Sequence, residues 1–194
     1  MNTYAKAETL TGAWLAPAHW VKSITLVVAF SLFIALSAQV VVPLPFTPVP
    51  ITLQTFAVLL TGALLGSRLG AAALLLYLVE GASGLPFFRG GNGGALYLAF
   101  SPTAGYLLAY PVAAFVTGWL AERGWDRKFL TAAAAIGIGS IIVLFGGWLG
   151  LLRFYAAGQA FALGVAPFVV GDIVKIALAA AVLPSGWALL RKKG

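Results

Sequence analysis

Asp172 and Lys175 stand three positions apart in the run Gly171-Asp172-Ile173-Val174-Lys175. In a helix that spacing puts both side chains on one face. Their flanks are strongly apolar, and a charge at membrane depth is costly, so the pair must face the protein interior or a ligand. As a private ion pair the two would only help the helix insert. As a site they would engage a guest bearing an anion and hydrogen-bond donors. Lys175 would then hold a carboxylate, and Asp172 would accept from N–H groups.

A second cluster is the loop Gly84-Leu85-Pro86-Phe87-Phe88-Arg89-Gly90-Gly91-Asn92-Gly93-Gly94. Paired glycines permit positive φ and let backbone approach a ligand closely. Phe87 and Phe88 offer apolar contact, and Arg89 and Asn92 offer polar groups. The loop is no phosphate cradle, because no Gly-Lys-Ser/Thr follows it and no strand precedes it; an ordinary external loop is the plainer alternative. Gln54 is an uncharged polar group one turn into an apolar segment, expected to point inward. Glu80 lies at the end of another, placed to pair with Arg89. Ser31, Ala35 and Ala38 form a small-residue face of the kind that admits a neighbouring helix, from within the protein or from a partner.

These groups must be positioned by membrane helices. Of 194 residues, 61% are hydrophobic and only 9% charged, with a mean hydropathy of +1.00. A water-facing globule usually needs about 25% charged residues. Six apolar spans follow, at about 21–42, 51–65, 69–82, 103–121, 129–152 and from 171 to just before Arg191. The fold class is therefore an all-α polytopic membrane protein of about six transmembrane helices, one domain over 21–194 after an interfacial lead-in at 1–20. The second and third spans hold about 15 residues each, or ~22 Å of helix against a hydrocarbon core of ~30 Å. Loops must dip inward at their ends, or the bilayer must thin. The stretch 154–168, broken by Gly158, Gly164 and Pro167, reads as a short surface helix or a partial span. Lys22 before an apolar run resembles a signal peptide, but the run is long enough to span and is expected to stay uncut.

Four prolines in Pro43-Leu44-Pro45-Phe46-Thr47-Pro48-Val49-Pro50 imply a stiff, extended loop, since proline fixes φ; a flap over a pocket and a plain spacer both fit. With the N-terminus inside, inner segments hold Lys6, Lys22, Arg68, Arg123, Arg127, Lys128, Arg191, Lys192 and Lys193, against Arg89 and Arg153 outside. That bias places both termini in the cytoplasm. The net charge of +7 thus reflects orientation; the basic residues form no stripe for nucleic acid.

Several runs together resemble the BioY family, the biotin-binding S components of energy-coupling-factor (ECF) transporters. They are Ala38-Gln39-Val40 leading into the proline loop and Ile51-Thr52-Leu53-Gln54-Thr55; Gly84-Leu85-Pro86-Phe87-Phe88; Ser101-Pro102-Thr103-Ala104-Gly105-Tyr106-Leu107; and Gly171-Asp172-Ile173-Val174-Lys175. The resemblance implies a multi-pass protein of the bacterial cytoplasmic membrane that captures biotin from outside, with Asp172, Lys175 and Asn92 in contact with it. It further implies a transmembrane coupling subunit docked on Ser31, Ala35 and Ala38, with separate ATPase subunits. Biotin suits the residues independently, offering a carboxylate, a ureido group and an apolar bicycle.

No cofactor or metal is expected. Cysteine is absent, and the single His19 lies outside the apolar spans. An integral-membrane enzyme would need a nucleophile–base pair or a metal cluster. A proton- or sodium-coupled carrier would be expected to carry inverted repeats and embedded carboxylates, and no persuasive repeat is present. An S component for another vitamin stays open at this point. No Walker motif occurs, so energy must come from other subunits or from the substrate gradient.

Overall fold

The computed structural model describes residues 9–14 and 20–192. Expectations placed on Lys6, Glu8, Pro17, His19 and Lys193 lie outside the described residues.

Nine described α-helices run in the order α1 (Leu10–Trp14), α2 (Trp20–Ser37), α3 (Gln54–Leu65), α4 (Ser67–Ala82), α5 (Ala95–Phe100), α6 (Ala104–Glu122), α7 (Phe129–Leu151), α8 (Ala157–Gly164) and α9 (Val169–Lys192). Four stretches among the described residues are long and apolar enough to cross a membrane: Trp20–Ser37, Ala104–Glu122, Phe129–Leu151 and the run Ala157–Leu189. Helix is the natural form there, because hydrocarbon offers no partner to a free N–H or C=O. The 23 residues of α7 carry no charge and reach ~35 Å, enough for a ~30 Å core. By contrast α3 has 12 residues and α4 has 16. The two short spans expected from sequence are thus both present and both short.

Differences from expectation sit at the helix ends. The first span stops at Ser37, not at residue 42. The chain then forms a strand, β1 (Val41–Val42), antiparallel to β2 (Ile51–Thr52), with Val41 opposite Thr52 and Val42 opposite Ile51. Pro43 favours the extended backbone at Val42, since the residue before proline is driven from helical to extended backbone. The proline loop is therefore the tip of a small hairpin. Residues 154–168 supply α8 and a 3-10 turn at Ala166–Phe168 that runs directly into α9. Part of the lead-in is not merely interfacial: Leu10 is buried, and the Thr11 hydroxyl donates to the Leu64 carbonyl at 2.6 Å.

Helix α6 is the central element, packed chiefly on α7, α3 and α4. Its approach to α7 depends on glycine, because a Cβ on Gly105 would lie 2.3 Å from the Gly146 carbonyl oxygen. At the end bearing Arg68, Arg123 and Lys128, the Glu122 carboxylate accepts from the Ser67 backbone N–H at 2.6 Å and from its hydroxyl at 2.9 Å. Nearby, Trp187 Nε1 on α9 donates to Asp126 Oδ2 at 2.6 Å, in the 3-10 turn Trp125–Arg127. The Arg127 guanidinium lies 4.7 Å from the Trp187 ring centre. These contacts staple the basic end.

The small-residue face of α2 requires a correction. Ser31, Ala35 and Ala38 are buried, at 0%, 5% and 0% exposure, and α2 packs mainly on α4 and α3. Small side chains let α2 approach its own neighbours, so a partner could reach these three only by displacing them. The outward residues of α2 include Trp20, Val21, Ile24, Val28, Leu32, Phe33 and Leu36.

Candidate functional site

At the opposite end from Arg68 and Lys128, four parts of the chain converge: the proline hairpin, the glycine-rich loop, the start of α6 and the start of α9. They enclose a narrow cavity of about 40 Å³ whose lining includes Gln54, Thr55, Arg89, Tyr97, Asp172 and Lys175. Ligand pockets usually span about 300–1,000 Å³, so this one is narrow and must widen to admit a guest. A roomier hollow of about 470 Å³ between α7, α8 and the start of α9 is lined only by apolar side chains, including Phe145, Trp148 and Phe161. With no polar group it cannot read a polar ligand.

Asp172 and Lys175 do share a face of α9, as their spacing requires, with Lys175 Nζ 3.6 Å from Asp172 Oδ1. Each is also held by another helix. Lys175 Nζ donates to the Thr55 hydroxyl at 2.6 Å on α3, and the Ser140 hydroxyl on α7 donates to Asp172 Oδ2. The charge pair is therefore compensated and fixed from three sides, which is what burial of ions demands.

Arg89 reaches the cavity from the glycine-rich loop. Its Nε donates to the Tyr97 hydroxyl at 2.9 Å, and Tyr97 lies 3.3 Å from the Thr103 hydroxyl. The expected pairing with Glu80 does not occur: among the described residues no ion pair joins them. The loop's glycines make this reach possible. Gly90 and Gly91 have φ of 61° and 78°, so the chain doubles back and the Phe88 N–H donates to the Asn92 carbonyl at 2.8 Å. Gln39, at the end of α2, clamps the turn by accepting from the Gly91 N–H at 2.8 Å.

Gln54 lines the cavity and donates to the Tyr77 hydroxyl at 2.6 Å, which donates onward to the Phe87 carbonyl at 3.2 Å. Two other expected residues are not brought to the wall. Asn92 is exposed and spends its side-chain amide on the Arg89 carbonyl at 2.7 Å. Phe88 is fully buried one layer beneath, edge-on to Tyr77 at 5.7 Å and stacked on Tyr97 at 5.6 Å. It carries the loop without facing the cavity.

Sequence reasoning missed Thr55 and the aromatic wall of Tyr97, Tyr106, Tyr110 and Phe168. A signal existed: Thr103, Tyr106 and Tyr110 recur at three and four residues, one helical face of α6. The roof is tied down by two long-range bonds. Thr47 in the hairpin donates to the Leu163 carbonyl at 2.7 Å, and Tyr106 donates to the Gly164 carbonyl at 2.5 Å.

A family model described as the BioY family matches residues 5–192. The chain belongs to the BioY family. A probable biotin transporter BioY from Pyrococcus horikoshii is 41% identical over 158 residues, covering 81% of this chain and 91% of that protein. The biotin transporter BioY from Rhodobacter capsulatus is 40% identical over 171 residues, covering 80% and 87%. Among solved structures, the crystal structure of the S-component for biotin from an ECF-type ABC transporter superposes with a TM-score of 0.80 at 27% identity, covering 92% of this chain and 96% of that one. The BioY relationship thus spans the hairpin, the glycine-rich loop and the Asp172–Lys175 helix together.

Proposed function

We infer that this chain binds biotin and serves as the biotin-specific S component of an ECF-type transporter. It is a transporter subunit, not an enzyme. It works in the cytoplasmic membrane, its basic end toward the cytoplasm, with a transmembrane coupling subunit and separate ATPase subunits. The single observation that carries the ligand reading is the chemistry of the cavity. A fixed acceptor–donor pair, Asp172 and Lys175, shares an aromatic-walled pocket with a cation, Arg89, that has no carboxylate partner among the described residues.

That arrangement favours a different division of labour from the one the sequence suggested. Lys175 is already neutralised by Asp172, so the two together present one donor and one acceptor, matching a ureido carbonyl and its adjacent N–H. Arg89 is the better anchor for the valerate carboxylate, since its guanidinium charge is otherwise uncompensated in the site. Tyr97, Tyr106, Tyr110 and Phe168 supply contact for the bicycle. Isothermal titration with biotin, desthiobiotin and a biotin amide tests both parts. Tight binding of biotin with marked loss for the amide supports the reading; no heat with biotin refutes it.

A further inference from the structure

We infer that Leu144 sets the size limit of the site. Its side chain is the partition between the cavity and the apolar hollow, so biotin derivatives enlarged by an apolar group on the ring system are refused. The inference rests on the biotin reading above and gives α7 a part in selecting the ligand.

Two spaces lie side by side at this end of the molecule, the narrow cavity of about 40 Å³ and the hollow of about 470 Å³. Leu144 lines both, and among the described residues it is the one that their walls share. Its neighbours on α7 take sides. Ile141 and Phe145 line only the hollow and are 66% and 55% exposed, where hydrocarbon surrounds a span. Ser140, one turn before Leu144, is buried and donates to Asp172. The chain crosses the same boundary again between Phe168, which lines the cavity, and Val169, which lines the hollow. Leu144 therefore stands beside the carboxylate proposed to accept a ureido N–H, with apolar space behind it.

Shortening an ordinary wall residue adds only the volume of the lost atoms. Shortening Leu144 joins the cavity to a far larger space lined only by apolar side chains. An apolar substituent can run into that space, whereas a polar one would lose its hydrogen bonds there. Biotin has two ureido nitrogens, and Asp172 needs one N–H. A benzyl group on the other nitrogen is therefore the probe, because it keeps that bond and extends the ring system.

The test is titration calorimetry of the full chain with biotin and with the two biotins benzylated on one or the other ureido nitrogen. The parent is expected to bind both derivatives at least about a hundredfold more weakly than biotin. Leu144→Ala should weaken biotin several-fold, yet narrow that gap by about tenfold or more for one isomer. Leu144→Val moves the same way by less, and carries the test if the alanine variant does not fold. Leu107→Ala, buried on α6 and lining only the cavity, weakens biotin as well but leaves the gap unchanged. Ile141→Trp fills the hollow from outside, so adding it to Leu144→Ala restores the gap. The inference is overturned, with biotin binding intact, by a parent that accepts a benzylated biotin as readily as biotin. It is equally overturned by a gap that persists in both Leu144 variants, narrows as much in Leu107→Ala, or stays narrow in the double variant. Failure of the unmodified protein to bind biotin overturns the function itself.

Discussion

Lys175 on α9 is bonded to Thr55 on α3 at 2.6 Å, while its ion-pair partner Asp172 lies one turn away on the same helix at 3.6 Å. The lysine thus joins two helices as well as two charges. Replacing it by alanine leaves Asp172 buried beside Ser140 with no cation, and breaking one side of a buried pair costs about 3–5 kcal/mol. Lys175→Ala is expected to weaken biotin binding by at least about a hundredfold and to lower the melting temperature. Lys128→Ala, at the far basic end and exposed, should change neither. Titration calorimetry and thermal unfolding in detergent check this; equal effects from the two variants would place the site elsewhere.

Arg89 is held by the Tyr97 hydroxyl through Nε at 2.9 Å and by the Pro48 carbonyl through Nη2 at 3.5 Å; neither partner carries a negative charge, so the guanidinium charge stays available to an anion. Arg89→Gln should weaken biotin by roughly ten- to a hundredfold, the range for a hydrogen bond to a charged group. Binding of a biotin amide should hardly change, because the carboxylate it lacks is what Arg89 is proposed to hold. A comparable loss for both ligands would return the carboxylate to Lys175.

The helical frame was legible in the sequence because hydrocarbon imposes one rule on every span. All six apolar segments appear as helices, and the shortness of α3 and α4 follows from counting residues. Helix ends were less legible. After the stop at Ser37 the chain forms a strand that pairs with Ile51–Thr52, contacts nine and eleven residues distant that no periodicity reports. At the site, Asp172, Lys175, Arg89 and Gln54 stood out because polar groups in apolar surroundings are conspicuous. Asn92 and Phe88 were drawn in by residue type alone; their direction is set by the doubled-back loop at Gly90 and Gly91. Tyr106 and Tyr110 escaped notice because aromatic residues on a membrane helix look like ordinary packing. The Ser31, Ala35 and Ala38 face shows the reverse error, since small residues mark a close helix contact without saying which helix makes it.

The bond from Thr47 to the Leu163 carbonyl ties the proline hairpin to α8 over a cavity too small for its proposed guest. Opening at the hairpin would break it. Thr47→Val removes the donor and keeps the shape, so it should speed both capture and release of biotin. Stopped-flow tryptophan fluorescence reads both rates, and a several-fold rise in dissociation is expected from a loss of about 1 kcal/mol. Unchanged rates would assign access to another route.

Burial pushes the Asp126 carboxyl up from 3.8 to about 6, against the opposing hydrogen bond from Trp187. This group lies in the turn between α6 and α7, outside the spans. Because the folded protein holds the proton more tightly than the unfolded chain, stability falls as pH rises from about 4 to about 6 and levels off above. Asp126→Asn removes the ionisation while leaving an oxygen to accept from Trp187. It should raise stability at pH 7.5 by on the order of 1 kcal/mol and flatten the pH dependence of the melting temperature between pH 4 and 6. A variant that melts lower than the parent at pH 7.5 would show that the ionised carboxylate stabilises the basic end.

Ala35 is 5% exposed on a face that the sequence offered to a partner. The packing of α2 on α4 and α3 leaves no room there for an indole. Ala35→Trp is therefore expected to act as core overpacking, destabilising by about 1–3 kcal/mol. Leu32→Trp, on the exposed side of the same helix, should leave the melting temperature unchanged within about 0.5 kcal/mol. Both variants are read by thermal unfolding of the purified chain alone, so no second subunit enters the comparison. If Ala35→Trp melts like the parent, the face is open to the lipid side and the small residues regain their claim as a docking surface. If it melts lower while Leu32→Trp does not, the exposed side of α2, which includes Ile24, Val28, Leu32, Phe33 and Leu36, is the part that another chain can touch.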